Sequence, residues 1–384
     1  MRVAVVVRSL KIGGMERAAV NLADAFAAQG HDVHLVHFKK ERVLTPGNGV
    51  ALHRFDLDRQ MRRSAAGLAW ELFSRLLNAA VRRSYFLNAG FYLTRLFRER
   101  IEALEAESGP FDLIVARGQG TFETLWAFRD PRFVQVVESM FLFPGTPLQN
   151  FYLRRLYDGK RIVCVSTGVK ERFMQTAQAA GFTPASVDVI TNPVDFDAVA
   201  QAADAFVPDI EGPYILSVGR ITPNKNLSLL IDAYLLLRER LDDAPQLVIV
   251  GDGHDRANIK AKIADAKAGA FIRLTGKLPN PYPWMKHAAL FVLSSRFEGL
   301  GMVLIEAMAC GTKVVATRAP GGVTDIMRGG LEAYLSDHDP DALARKMRFA
   351  LEHDRPDYTE ALEPFRPDRV VRQWQMLAEA FSSK

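Results

Sequence analysis

The sequence predicts an α/β protein in which two domains each contain a parallel sheet. Short, β-branched apolar runs alternate with segments of helical periodicity along most of the chain, a pattern typical of strands joined by helical crossovers. The length of 384 residues exceeds that of one ordinary hydrophobic core. Residues 192–213, a stretch of mixed polarity with three prolines, predict the connection between the domains. We therefore expect domains over residues 1–191 and 192–369, followed by a terminal helix within 370–384.

The first predicted domain opens with a strand over Arg2–Val7, which is almost entirely apolar after its first residue. Gly13 and Gly14 form a tight loop, and helical periodicity follows over Met15–Gln29. Gly30 ends that helix as a C-cap, because glycine adopts the left-handed conformation without a steric penalty. Five further strands are predicted in this domain: Val33–Phe38, Leu113–Ala116, Val134–Val137, Arg161–Val165 and Val187–Ile190.

The second predicted domain repeats this alternation more regularly. Its predicted strands are Tyr214–Val218, Leu247–Val250, Phe271–Thr275, Leu290–Leu293 and Lys313–Ala316. Its predicted helices are Leu227–Leu241, His254–Lys267 and Val303–Cys310. The terminal segment, Val370–Phe381, places five apolar side chains on one helical face, which favours packing against another element.

Composition indicates a folded soluble protein, with 48% apolar and 24% charged residues. Cys164 and Cys310 form no disulfide framework or metal pattern, so we expect a cytoplasmic protein. The first ten residues favour a strand over a signal peptide, and no apolar run approaches the roughly 20 residues of a spanning helix. Charge is uneven, since residues 1–190 carry a net +8 and residues 191–384 a net −3. The two halves are therefore expected to differ in their partners.

Two carboxylates flank a glycine turn in the second domain. Glu298 precedes Gly299-Leu300-Gly301, and Glu306 follows about one turn into the next predicted helix. An apolar strand enters this turn, so a helix N-terminus is expected at the carboxyl end of a strand, where amides and the helix dipole favour an anion. The side chain of Glu306 leans back toward that terminus. This arrangement would suit a nucleotide sugar, with one carboxylate near the sugar, one near the ribose and amides on phosphate between them.

The segment 298–311 resembles the signature of the retaining family-4 glycosyltransferases, which have the GT-B fold. The matching residues are Glu298, Gly299, Gly301, Glu306, Ala307, Ala309 and Gly311. The resemblance, closest to bacterial lipopolysaccharide and exopolysaccharide enzymes, implies two Rossmann-like domains whose parallel sheets face a central cleft. It also implies that the final helix crosses back to the first domain, although the apolar face fits any packed terminal helix.

Further motifs of this family occur at the carboxyl ends of predicted strands. Gly219, Arg220 and Lys225 resemble its diphosphate-binding element, in which fixed cations stabilise the charge that grows on the leaving phosphate. Gly13-Gly14 resembles its loop over the donor phosphates, and Gly251 and Lys277 resemble loops near the base. The resemblance further implies that Glu298 binds sugar hydroxyls, that Glu306 binds the ribose, and that the amides of Leu300, Gly301 and Met302 help hold the diphosphate.

The first domain departs from the family pattern. Many relatives have a histidine after the strand that ends at Val137, whereas this chain has Glu138, and Arg117 follows the strand Leu113–Ala116. No catalytic histidine can therefore be assigned. Glu138 either contacts the donor sugar or acceptor hydroxyl, or is a structural group, and both interpretations stay open.

No metal or other cofactor is expected. Two D-x-D sequences, 56–58 and 337–339, lack the strand context that a metal-binding motif requires, and the eight histidines show no ligand spacing. Arg220 and Lys225 supply positive charge where a cation would otherwise act.

Residues 59–100 form a basic and apolar stretch. They contain nine arginines against two acids, Glu71 and Glu99, with Leu, Phe, Trp and Tyr interleaved. We interpret them as one or two amphipathic helices that bind an anionic membrane surface, with a packed helical insertion as the alternative. Nucleic acid is not expected, because no recognition motif accompanies the charge.

The function expected from the sequence is retaining, metal-independent transfer of a hexosyl group from a nucleotide-diphosphate sugar, with UDP-sugars as the first choice. The acceptor would be a lipid-linked or lipopolysaccharide/exopolysaccharide glycan at the inner face of the membrane. Two alternatives remain: a soluble sugar-nucleotide epimerase or phosphorylase on the same fold, and a non-catalytic membrane-associated scaffold.

Overall fold

The computed structural model describes residues 1–11, 13–80, 84–140 and 145–382, and it divides into two compact units. The first unit comprises Met1–Val165, Val169–Pro193 and Pro367–Lys384, and the second comprises Ser166–Gly168 and Val194–Arg366. The sequence predicts a boundary after residue 191, and the structure has it after Pro193. Each unit has its own parallel sheet, so the predicted α/β fold class is confirmed.

The first unit contains a seven-stranded sheet in the order β3-β2-β1-β4-β5-β6-β7, with all neighbours parallel. Its strands are β1 (Arg2–Val7), β2 (Asp32–His37), β3 (Val50–Arg54), β4 (Leu113–Arg117), β5 (Phe133–Val137), β6 (Arg161–Cys164) and β7 (Ser186–Val189). β1, β4 and β5 are buried along their whole length, which explains their near-continuous apolar sequences. β3 was not predicted, because this edge strand is partly exposed and has no clear apolar run.

Helices connect these strands. They are α1 (Gly14–Ala28), α2 (Leu57–Arg62), α3 (Ala65–Ala80), α4 (Tyr85–Ser108), α5 (Gln119–Thr124), α6 (Pro147–Tyr157) and α7 (Thr167–Ala180). Gly30 has a φ of 78° just after α1, as expected for the residue that stops this helix. α2, α3 and most of α4 cover the basic stretch 59–100, of which residues 81–83 lie outside the described residues.

The second unit contains a six-stranded sheet in the order β10-β9-β8-β11-β12-β13, again with parallel neighbours. Its strands are β8 (Tyr214–Val218), β9 (Gln246–Val250), β10 (Ile272–Gly276), β11 (Leu290–Leu293), β12 (Val314–Thr317) and β13 (Leu335–Ser336). Its helices are α8 (Phe196–Ala203), α9 (Leu227–Arg240), α10 (Arg256–Asp265), α11 (Tyr282–Lys286), α12 (Met302–Ala309), α13 (Val323–Ile326), α14 (Pro340–Glu352) and α15 (Thr359–Leu362). A 3-10 turn, Pro223–Lys225, precedes α9.

The stretch 192–213, predicted to connect the domains, contains the boundary between the two units and also a helix that was not predicted, α8. The Asp195 side chain caps this helix by accepting a hydrogen bond from the Ala198 amide at 2.9 Å. Val199 and Ala203 are buried, so packing stabilises a helix whose sequence alone is too short for a clear periodic signal.

The last helix, α16 (Pro367–Ser382), belongs to the first unit and contacts α1. Val370, Val371 and Trp374 are buried on one face, the face that the periodicity indicates. The guanidinium of Arg161 lies 3.8 Å from the ring centroid of Phe381, which adds a cation–π contact near the end of the helix.

Lys160 is a buried cation beside β6. Its side chain is only 4% exposed, and its ammonium donates a hydrogen bond to the carbonyl of Phe128 and lies 5.6 Å from the ring centroid of Phe133. Burial, with a smaller contribution from Arg129, lowers the pKa of Lys160 to about 7.

This lowered pKa predicts a pH-dependent stability. Between pH 7 and 10 the unfolded chain holds a proton on Lys160 that the folded chain has released, so the free energy of unfolding rises with pH. For the wild type, we expect the free energy of unfolding of the first unit, measured with urea, to rise by on the order of 2–4 kcal/mol between pH 7 and 10. Lys160→Met should abolish this rise. Lys40→Met, at an exposed position, serves as the control and should keep the wild-type slope. Equal slopes for wild type and Lys160→Met would contradict the prediction.

Candidate functional site

A crevice opens at one edge of the second sheet, between the carboxyl ends of β8 and β11. In the sheet, β9 and β10 lie on one side of β8, and β11, β12 and β13 lie on its other side. The connection after β8 and the connection after β11 therefore run in opposite directions. In open parallel sheets this reversal of strand order is where ligands bind. A pocket with about 250 Å³ of empty space, which includes open solvent at its mouth, lies here and is lined by Gly219, Arg220, Lys225, Ser294 and Ser295, among others.

The structure brings the predicted second-domain residues to this edge of the sheet. Gly219 and Arg220 follow β8, Gly251 follows β9, Lys277 follows β10, and Glu298, Gly299, Leu300 and Gly301 lie between β11 and α12, which begins at Met302. Arg220 and Lys277 are exposed, whereas Leu300 is buried. These eight positions lie in four loops that are distant in sequence, and the sheet order makes the loops neighbours.

Lys225 and Glu298 form an ion pair inside this site. The ammonium nitrogen of Lys225 lies 2.5 Å from Oε1 of Glu298, and the two side chains are 21% and 12% exposed. The hydroxyl of Ser295 donates to the same carboxylate oxygen at 2.5 Å. The cation expected on the diphosphate and the carboxylate expected on the sugar are thus bonded to each other.

A second set of hydrogen bonds fixes the loops that carry this pair. The carbonyl of Ser295 accepts from the Thr317 hydroxyl at 2.7 Å and is 2.9 Å from Nε2 of His338. The hydroxyl of Ser294 donates to the carbonyl of Lys225 at 2.8 Å. The roles of Ser295 and His338 were missed in the sequence, because no motif links positions that meet only after folding.

Two glycines allow close backbone contacts in the site. A Cβ on Gly321 would lie 1.6 Å from the carbonyl oxygen of Glu298, and a Cβ on Gly251 would lie 1.8 Å from that of Gly219. No other residue fits at either position without moving the backbone. These contacts join the loop after β11 to the loop after β12, and the loop after β8 to the loop after β9.

Glu306 is buried in α12 rather than exposed on its surface. Its Oε1 accepts a hydrogen bond from the hydroxyl of Tyr282 at 3.3 Å. Gly301 precedes α12 with a φ of 94°, so the chain turns sharply from β11 into this helix. Tyr282 was not foreseen, since its short helix, α11, carries no motif.

Glu138 lies in the first unit, immediately after β5, and pairs with Arg117 at the end of β4. The Nε of Arg117 lies 2.8 Å from Oε1 of Glu138, and Arg117 also donates to the side-chain oxygen of Asn192 at 2.5 Å. Arg117 is 1% exposed, whereas the side chain of Glu138 is 14% exposed. Burial raises the pKa of Glu138, Glu16 adds to this effect, and Arg117 opposes it.

Gly13 and Gly14 lie at the N-terminus of α1, in the loop that follows β1. Gly13 is extended, and the first turn of the helix contains Glu16, whose carboxylate accepts from the Ser9 hydroxyl at 3.2 Å. These glycines belong to the first unit, as Glu138 does.

Both D-x-D sequences have structural roles. Asp56 caps α2, and Asp58 pairs with Lys39 at 2.5 Å. Asp339 caps α14 by accepting from the Ala342 amide at 2.8 Å. Within residues 1–11, 13–80, 84–140 and 145–382, no group of three or more His, Cys, Asp or Glu side chains is placed to hold a metal ion.

Helix α3 buries two polar residues and exposes most of its large apolar side chains. Glu71 and Ser74 are buried, and Arg62 and Arg75 pair with Glu71 at 2.6 and 2.8 Å. The exposed apolar side chains of this helix include Leu68, Leu72, Phe73 and Leu76. The expected basic faces therefore have fewer unpaired arginines than the sequence suggests, because Arg62 and Arg75 pair with the buried Glu71. No helix in the described part of the chain has the length and apolarity needed to cross a membrane.

Two family models match the chain, Glycosyltransferase Family 4 over residues 12–198 and Glycosyl transferases group 1 over residues 201–363. Together they match part of each unit and include every site residue predicted from the sequence. The predicted family is confirmed.

Two bacterial glycosyltransferases are similar to part or most of the chain. An N-acetylgalactosamine-N,N'-diacetylbacillosaminyl-diphospho-undecaprenol 4-alpha-N-acetylgalactosaminyltransferase of Campylobacter jejuni is 30% identical over 179 residues, 47% of either chain. The matched chain thus spans about half the length of that relative. The lipopolysaccharide core biosynthesis glycosyltransferase LpsE of Rhizobium meliloti is 26% identical over 346 residues, covering 87% of this chain and 84% of LpsE.

The structure of Anabaena HepE in complex with UDP superimposes with a TM-score of 0.66 and 19% identity, covering 100% of both chains. This likeness shows a shared fold, the GT-B fold expected from the sequence.

Proposed function

We propose that this chain, which belongs to the family-4 glycosyltransferases of the GT-B fold, transfers a hexosyl group from a nucleotide-diphosphate sugar to a glycan hydroxyl. The observation that carries the proposal is the Lys225–Glu298 pair at the point where strand order reverses in the second sheet. A UDP-sugar is the proposed donor, and HepE, a protein of the same fold, binds UDP. The proposed acceptor is a lipid-linked or lipopolysaccharide/exopolysaccharide glycan, in keeping with the names of the two relatives.

The proposed reaction retains the anomeric configuration and needs no metal. As the bond between the sugar and the diphosphate breaks, negative charge grows on the leaving phosphate oxygen. Arg220 and Lys225 stabilise that charge, helped by the amides of Leu300, Gly301 and Met302. The acceptor hydroxyl attacks from the same face, and its proton passes to the leaving phosphate oxygen.

The two glutamates of the second unit are assigned to the donor. Glu298, bonded to the pocket residues Lys225 and Ser295, binds hydroxyls of the transferred sugar, and the buried Glu306 binds the ribose. Tyr282 positions Glu306 through its hydrogen bond to Oε1. Gly251 and Lys277 lie at loops suited to the base, while Gly13 and Gly14 supply a loop for the donor phosphates.

Two other functions are less well supported. An epimerase or phosphorylase on this fold would act without a glycan acceptor at a membrane, and the exposed apolar side of α3 disfavours a protein with no surface partner. A non-catalytic scaffold would have no need for Arg220, Lys225, Glu298 and Glu306 together, and all four are present.

We further propose that α3 binds the anionic inner face of the cytoplasmic membrane. Leu68, Leu72 and Leu76 recur every four residues, so they form one stripe along the exposed side of the helix. Exposed Arg63 lies just before α3, and Arg75 on α3 itself is largely exposed although it pairs with Glu71. Apolar side chains flanked by arginines suit the boundary between acyl chains and anionic headgroups.

The donor site predicts stabilisation by a nucleotide sugar in the presence of EDTA. At a ligand concentration about 100 times Kd, binding adds about 2.7 kcal/mol, enough to raise Tm by several degrees. We expect one family among UDP-, GDP- and ADP-sugars to do so, and Glu306→Ala to abolish the shift. Glu211→Ala, an exposed control in the same unit, should retain it. No shift with any of these donors at millimolar concentration would contradict the site, and a shift that requires a divalent cation would contradict metal independence.

Glu138 is predicted to act in turnover rather than in donor binding. Glu138→Gln removes the charge while keeping the shape, so we expect at least a roughly 10-fold loss of kcat with donor affinity within about 3-fold of wild type. Transfer of labelled sugar to a bacterial lipid extract measures kcat, and the melting shift measures donor binding. Exposed Glu102→Gln is the control. Unchanged turnover would remove Glu138 from the mechanism and leave its pair with Arg117 as a structural contact.

Membrane binding is predicted to depend on the exposed leucines of α3. Flotation with vesicles of 30% phosphatidylglycerol and 70% phosphatidylethanolamine should recover the wild type at low salt and less of it at high salt. Leu72→Ser combined with Leu76→Ser should reduce recovery by roughly 5- to 10-fold, because the vesicle contact loses apolar area. Val207→Ser, at an exposed apolar position in the second unit, should have no effect. A wild type that fails to float with these vesicles at low salt would contradict the proposal.

A further inference from the structure

We infer that Glu298 is an intramolecular competitor of the diphosphate for Lys225. The carboxylate holds the ammonium, and a diphosphate bound by Lys225 displaces it. The inference deepens the proposed function, because it concerns regulation of nucleotide affinity at the same site.

The competition follows from the geometry of the pair. The ammonium nitrogen of Lys225 and Oε1 of Glu298 are 2.5 Å apart, and both side chains are largely shielded from water. A charge-assisted hydrogen bond in such surroundings is stronger than one at an exposed surface. An entering phosphate oxygen therefore replaces an existing anionic partner of Lys225, rather than a shell of water.

Ser295 keeps Glu298 in place when Lys225 leaves it. Its hydroxyl donates to Oε1 at 2.5 Å. Ser295 itself is fully buried, and its backbone carbonyl accepts from Thr317 in β12 and lies 2.9 Å from Nε2 of His338. The carboxylate therefore keeps a hydrogen-bond donor in both states. Lys225 is the member that moves, because its long side chain has rotatable bonds along four carbons.

This exchange has opposite consequences for donor and product. A donor sugar offers hydroxyl groups to Glu298, which compensates the carboxylate for the loss of Lys225. A nucleoside diphosphate without a sugar offers no such group, so Glu298 both retains its attraction for Lys225 and lacks a new partner. Glu298 therefore weakens binding of the product more than binding of the donor and speeds product release.

The test measures binding of UDP, with inorganic pyrophosphate as a probe that lacks a base, by titration calorimetry. The proteins are wild type, Glu298→Gln, Lys225→Met and the double variant, with Glu352→Gln as an exposed control on α14. We expect Glu298→Gln to bind UDP roughly 5- to 10-fold more tightly than wild type, while its sugar transfer falls. In the K225M background, Glu298→Gln should change UDP affinity less than 2-fold, because the ammonium for which carboxylate and diphosphate compete is absent.

Three results would overturn the inference. UDP affinity that is unchanged or weaker in Glu298→Gln excludes competition. An equal gain in the K225M background indicates simple repulsion of the diphosphate by Glu298, without displacement of Lys225. Failure of the wild type to bind UDP, GDP, ADP or pyrophosphate overturns the donor site together with the inference, whereas the first two results leave the donor site intact.

Discussion

The position of the Glu298 carboxylate depends on a backbone contact that only glycine permits. The amide of Glu298 donates to the carbonyl of Pro320 at 3.0 Å, and Gly321 packs directly on the Glu298 carbonyl. This contact joins the loop after β11 to the loop after β12. The backbone of Glu298 is therefore held in one orientation. Lys225 approaches from the 3-10 turn before α9, and its own carbonyl is held by Ser294. The ion pair thus joins two loops that the sheet has already placed side by side. The charged groups are therefore preorganised, as stabilisation of a developing charge requires.

Burial explains which parts of the fold were predictable. The bounds predicted for Arg2–Val7, Tyr214–Val218 and Leu290–Leu293 are those of the structure. Strands that are buried on both faces have nearly continuous apolar sequences, which makes their ends easy to recognise. β3 and α8 were missed because an edge strand and a short helix need few apolar residues, and tertiary contacts stabilise them.

The candidate site was predictable in position but not in its internal contacts. The two motifs that contain Arg220, Lys225 and Glu298 each follow a predicted strand. Because the carboxyl ends of parallel strands meet at one edge of a sheet, the sequence predicts these residues at the same edge. The bonds from Lys225 to Glu298 and from Arg117 to Glu138 join residues far apart in sequence, and no local pattern encodes them. In the basic stretch 59–100, composition did not indicate that two of the arginines pair with a buried carboxylate. Arg62 and Arg75 neutralise Glu71, since a buried carboxylate needs charged partners.

The return of α16 to the first unit affects the order in which the chain is made and folded. The first unit contains residues from both ends of the sequence, and Trp374 is among its largest fully buried side chains. A ribosome releases the segment that carries Trp374 only after the whole second unit has been synthesised. The second unit can therefore complete its core while the first still exposes the apolar surface that α16 covers, a state in which nascent chains depend on chaperones. A chain that lacked α16 would remain in that state, because the segment that covers this apolar surface would be missing.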